Sequence, residues 1–168
     1  MPDSRTVCLA FTASEALVLH VAVSVVFPSI FMTNEFIAYI EKQHVDRQAF
    51  LREIHRIILE NDKTISPVIE PMMGKEMIIY KDRGMMKYAL SSVKNYISLH
   101  VLPIYGSKPL HEKYIAMLPE ANFQKGCINF ETREQLPLEI VQQLIADCAP
   151  IDLVKIREDY LKAKKQKK

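Results

Sequence analysis

The spacing of apolar positions changes along the chain, and that change orders the predicted elements. Phe36, Ile37 and Ile40 share one side of a helix predicted over 35–42, which Thr33 or Asn34 can cap. Asp46 is a suitable cap for a second helix over 47–60. There Phe50, Leu51, Ile54, Ile57 and Ile58 form the stripe of a helix packed on a core. Pro67 and Pro71 bracket 65–70, which reads as a turn or short helix. The period then falls to two. Segments 76–80 (EMIIY) and 85–90 (MMKYAL) read as a hairpin around Lys81-Asp82-Arg83-Gly84, followed by a polar connection over 91–95. In 96–102 the residues Ile97, Leu99 and Val101 share one face, and Pro103 closes the strand. A helix is predicted over 108–118, with Pro109 in its first turn. Segment 127–130 (CINF) reads as a short strand after Gly126. Pro137 opens a helix to 148 that turns Leu138, Val141, Leu144 and Ile145 inward, and a last helix over 151–164 frays into lysines.

Helices first, adjacent strands in the middle and helices last predict an α+β fold. Its expected form is a small antiparallel sheet of about four strands with helices packed against it. The folded unit is expected over 32–161, followed by a basic disordered tail over 162–168.

Residues 1–31 do not fit that pattern. Segment 8–31 is apolar but interrupted by Glu15 and His20. A charge near a membrane centre costs about 2.5–3.5 kcal/mol even on lenient scales. MPDSRT sets Asp3 against Arg5, where a secretion signal would carry net positive charge. Met32 stands directly before a helix start, so it is expected to be the natural initiator, with 1–31 a non-native or disordered extension. A signal or anchor segment and an additional helix or strand are the alternatives. Without a genuine anchor at 8–31, the expected location is cytoplasmic, with no membrane contact.

Charge adds little. Residues 162–168 hold five lysines, whereas 32–161 carries 16 Lys and Arg against 18 Asp and Glu. A balanced domain offers no broad footprint for nucleic acid, so none is expected as a partner. Cys8, Cys127 and Cys148 are odd in number and widely spaced, which is no disulfide framework.

Four short blocks stand in a recognisable order. They are Pro71-Met72-Met73-Gly74-Lys75-Glu76-Met77 leading to Tyr80; Ser98-Leu99-His100-Val101 followed by Pro103-Ile104-Tyr105-Gly106; Gln124-Lys125-Gly126-Cys127-Ile128-Asn129-Phe130; and Leu136-Pro137-Leu138. With them the stretch 47–150 resembles the YdhG-like domain family, a largely uncharacterised bacterial family that includes a frataxin-like iron chaperone. The resemblance implies an antiparallel sheet with helices packed on it, self-association as a homodimer, and iron as a cargo. Frataxin-like delivery leans on acidic surfaces. Here Glu35, Glu41, Asp46, Glu53 and Glu60 alternate with Lys42, Arg47, Arg52 and Arg56, so no acidic ridge forms.

No chemical signature stands out. His20, His44, His55, His100 and His111 have no partners at metal-ligand spacing, so no metal site or cofactor is predicted from the residues. Ser91-Ser92-Val93-Lys94 matches S-x-x-K but lies between strands, not at a helix start. Tyrosines and methionines crowd the middle of the chain. A sheet face lined by them beside a few polar groups would suit a small ligand. The candidate groove residues are Lys75, Tyr80, His100, Tyr105, Lys125 and Cys127, the last with a lysine nearby that can favour its thiolate. No catalytic residue is nominated. The leading expectation is a non-enzymatic binding or adaptor domain for a small molecule or protein partner. An iron chaperone and an enzyme with an unrecognised site are the alternatives.

Overall fold

The computed structural model of the chain describes residues 33–166. The expectations for 1–31 and for Met32 fall outside the described residues. In chain order the elements are α1 (Asn34–Glu41), α2 (Val45–Asn61), β1 (Ser66–Met72), β2 (Lys75–Asp82), β3 (Met85–Ser92) and β4 (Ile97–Val101). They continue with α3 (Leu102–Gly106), α4 (Lys108–Met117), β5 (Asn122–Gln124), β6 (Cys127–Phe130), α5 (Leu138–Cys148) and α6 (Leu153–Gln166). The strands form one antiparallel sheet in the order β1-β2-β3-β4-β6-β5. The fold class is therefore α+β, with six described strands where about four were expected.

The two added strands lie at the sheet edges. Segment 65–70 is not a turn or short helix: from Ser66 on it belongs to β1, which is paired along its length with β2. Prolines are tolerated on an edge strand, where a missing N–H need not interrupt the ladder. The β1–β2 and β2–β3 connections are two-residue turns. Met73-Gly74 has φ of 52° and 78°, and Arg83-Gly84 has 47° and 81°. Left-handed backbone at both positions matches the twist of the flanking strands. β5 has only three residues, too few to show alternation in sequence.

Helix ends depart slightly from expectation. His44, not Asp46, precedes α2, and Asp46 sits in its first turn, where a carboxylate favours the helix dipole. Thr33 precedes α1 but makes no side-chain cap bond. The basic stretch expected as a disordered tail is helical as far as Gln166, because Lys, Ala and Gln are good helix formers.

One sheet face carries the main core. Phe36 and Ile40 of α1, Phe50, Leu51, Ile54, Ile57 and Ile58 of α2, and Val141, Leu144 and Ile145 of α5 are buried there. They pack with Ile78, Tyr80, Tyr88, Leu90, Leu99, Val101, Ile128 and Phe130 from the strands. Each such aliphatic or phenyl side chain contributes about 1.5–3 kcal/mol on full burial.

A β-bulge interrupts the β2–β3 ladder. Tyr80 pairs with Tyr88 but Lys81 pairs with Met86, leaving Lys87 as the extra residue. Lys87 is buried, and its Nζ lies 2.8 Å from Asp62 Oδ2 and donates to Ala149 O at 2.8 Å. Asp62 ends α2 and Ala149 ends α5, so one ammonium ties two helix C-termini to the sheet. Asp62 also accepts from Tyr88 Oη at 3.0 Å, and from Thr64 N and Oγ1 at 2.9 and 2.7 Å. Burial alone would push the Asp62 carboxyl up. The bonds from Lys87, Thr64 and Tyr88 together outweigh it and hold the group below its ordinary value.

Candidate functional site

Strand alternation turns a second set of side chains to the opposite face. Met77 and Ile79 of β2 and Ala89 of β3 cluster there with Val68, Met72 and Met86. Among the described residues this cluster draws only on strands. Beside it lies a groove of roughly 380 Å³. Met72, Met73 and Met77 form its apolar wall, Lys75 and Lys125 supply positive charge, and Ser91, Ser98, Gln124 and Asn129 supply neutral polar groups. Tyr96, His100 and Cys127 complete the part that can do chemistry.

Register explains the convergence. Ala89, His100 and Cys127 form one rung across β3, β4 and β6, and Ser91, Ser98 and Asn129 form the next. Cys127 Sγ lies 2.9 Å from His100 Nδ1. Both side chains are half-buried. Burial pushes the Cys127 thiol up and the His100 imidazole down. Both shifts favour the neutral pair; with the imidazole proton on Nε2, the thiol donates to Nδ1.

Lys125 and Gly126 form the turn between β5 and β6, with Lys125 at φ 54°. Gly126 meets close neighbours. A Cβ there would lie 3.1 Å from Tyr105 Cβ and 3.3 Å from Val101 O. That contact seats the turn against α3.

Of the six candidate residues, Lys75, His100, Lys125 and Cys127 line this groove. Tyr80 and Tyr105 do not. Tyr80 is fully buried on the helix-covered face, with its hydroxyl 2.8 Å from His55 Nδ1, and burial pushes its phenol well up. Tyr105 is exposed in α3, beside the Gly126 turn. Ser91, Ser98, Gln124 and Asn129 were not nominated. The first, second and fourth could have been found by alternation, because each sits next to a buried apolar neighbour on its strand.

A larger hollow of about 450 Å³ lies between the start of α2 and residues 131–134. Its lining mixes Asp46, Glu131 and Glu134 with Arg47, Lys94 and Arg133. Arg47 there donates to Val93 O at 2.5 Å and to Ser92 Oγ at 3.3 Å, which fastens α2 to the β3–β4 loop. Among the described residues no group of three or more His, Cys, Asp or Glu side chains converges, and no described helix is long and apolar enough to cross a membrane. No family model matches the chain, and neither a curated protein nor a solved structure matches it.

Proposed function

We propose that this is a ligand-binding domain of YdhG-like type, and that its site is the methionine-walled groove on the sheet face away from the main core. The observation that carries this reading is the meeting of Lys75, His100, Lys125 and Cys127, drawn from three separate stretches of sequence, over one concave surface. Apolar walls with a few placed polar groups suit a small molecule. Two lysines and no carboxylate in the described lining favour an anionic one. Soft thioether walls adapt to a ligand's shape without strong directional demands.

A thermal-shift screen of small carboxylates and phosphates tests the reading. At least one compound is expected to raise the Tm, and Lys75→Ala with Lys125→Ala is expected to abolish that shift while leaving the unliganded Tm nearly unchanged. A screen in which no anionic compound stabilises the protein would remove the reading.

A further inference from the structure

Resting on that ligand groove, we propose that Cys127 is its nucleophile and that the groove captures a small anionic α,β-unsaturated carbonyl compound as a covalent thioether. The thiol has a base within hydrogen-bond reach, because Sγ lies 2.9 Å from His100 Nδ1 on the same rung of the ladder. Lys75 and Lys125 border that rung's groove and can hold a carboxylate. Ser98 and Asn129 stand one rung away, roughly 7 Å along the strands, where their donors can meet a carbonyl oxygen as it gains negative charge.

The step balances without a further reactant. Sulfur bonds to the β-carbon, and the alkene π pair moves toward the carbonyl as an enolate. The thiol proton passes to His100 Nδ1, and the imidazolium returns it to the α-carbon. Nothing leaves, and no electron acceptor is needed.

The resting pair is neutral, so the thiol is a weak nucleophile until an electrophile is seated against it. The titratable groups facing the pair are Lys75 from β2, Tyr96 ahead of β4 and Lys125 from the β5–β6 turn. Cys148 offers an internal contrast. It is fully buried in the main core, and burial beside Asp147 pushes its thiol up to about 12.

The test uses the full chain and three related probes: anionic 3-maleimidopropionate, neutral N-ethylmaleimide, and saturated 3-succinimidopropionate, which can bind but cannot add. Rates are normalised to glutathione, and the labelled cysteine is identified by peptide mass. Cys127 is expected to react before Cys148, with a relative preference for the anionic maleimide. Lys75→Ala with Lys125→Ala is expected to remove the preference for the anionic maleimide over the neutral one. His100→Gln slows both maleimides by roughly a hundredfold or more, the low end of what a positioned base supplies.

The wild-type rate is expected to rise as His100 loses its proton, below the ordinary imidazole range, and then to hold a plateau through neutral pH. This profile decides the matter should His100→Gln not fold. A rate that only climbs with thiolate formation, or one unchanged in His100→Gln, overturns the proposal. If 3-succinimidopropionate still raises the Tm in a lysine-dependent way in that case, the binding site stands and the nucleophile does not. If it gives no shift and the anionic preference is absent, both fail.

Discussion

Replacing Lys87 with methionine isolates the energetics of the bulge. The variant keeps a long apolar stem but removes the ammonium that meets Asp62 at 2.8 Å and donates to Ala149 O. Both ion-pair side chains are almost fully buried, at 2% and 0% exposure, so solvent screening is weak. Deleting one partner of a buried pair costs about 3–5 kcal/mol. The three bonds that Asp62 keeps, from Thr64 N, Thr64 Oγ1 and Tyr88 Oη, place the expected loss near the lower figure, about 3 kcal/mol. For a chain of this length, that is a fall in Tm of about 6–12 °C.

The loss should depend on pH in a defined sense. In the wild type the Asp62 carboxyl titrates below its ordinary value of 3.8, so its contribution is present above that value and fades as pH falls through the lowered one. Without Lys87, burial is opposed less and the folded-state value rises above the unfolded one. The variant's deficit should therefore be largest at neutral pH. It should shrink as pH falls through the raised value toward the ordinary carboxylate range. Urea unfolding of both proteins at neutral and mildly acidic pH measures this. A cost below about 1 kcal/mol, the scale of an exposed pair, would refute the reasoning, as would a deficit that grows on acidification.

Other expectations follow from single contacts. Gly126→Ala places a Cβ against Tyr105 Cβ and Val101 O, neither of which can yield as a flexible side-chain end does. A loss of about 1–3 kcal/mol in urea unfolding is expected, and no loss would show that the α3 contact is loose. Gly84→Ala meets no neighbour but keeps φ near +81°, so a smaller cost of about 1–2 kcal/mol is expected from backbone alone. Tyr80→Phe loses the hydroxyl bond to His55, about 1 kcal/mol by thermal or chemical melts. Any anion-induced rise in Tm should survive it, because Tyr80 lies on the covered face.

The parts of the fold legible in sequence are those with long periodic patterns. The stripe of α2, the alternation of β4 and the apolar run of α5 each identify an element and its buried face. β1 was hidden because Pro67 and Pro71 argue against a strand unless its edge position is known, and that position is a property of the whole sheet. The Asp62–Lys87 pair left no local sign. It depends on a one-residue register shift between strands, which puts Lys87 on the side where alternation alone would not place it. The groove was half legible. Residue type drew attention to Lys75, His100, Lys125 and Cys127, but Tyr80 was nominated by composition when the parity of its strand sends it to the other face. The match of His100 with Cys127 required the β4–β6 register, which spans a helical excursion between the two strands.

The prolines of β1 also bear on what the sheet can join. A proline fits a paired strand only where its nitrogen points away from the partner, so residues 67, 69 and 71 turn their backbone outward from β2. Two of those three positions have no N–H, and Ile69 alone can donate to an incoming chain. The other described edge, β5, offers three residues. Neither rim is a good template for strand addition, so the sheet is protected against growing into a fibril or a continuous intermolecular sheet. Any second copy of this chain that docks through described residues would have to meet side chains rather than extend the ladder.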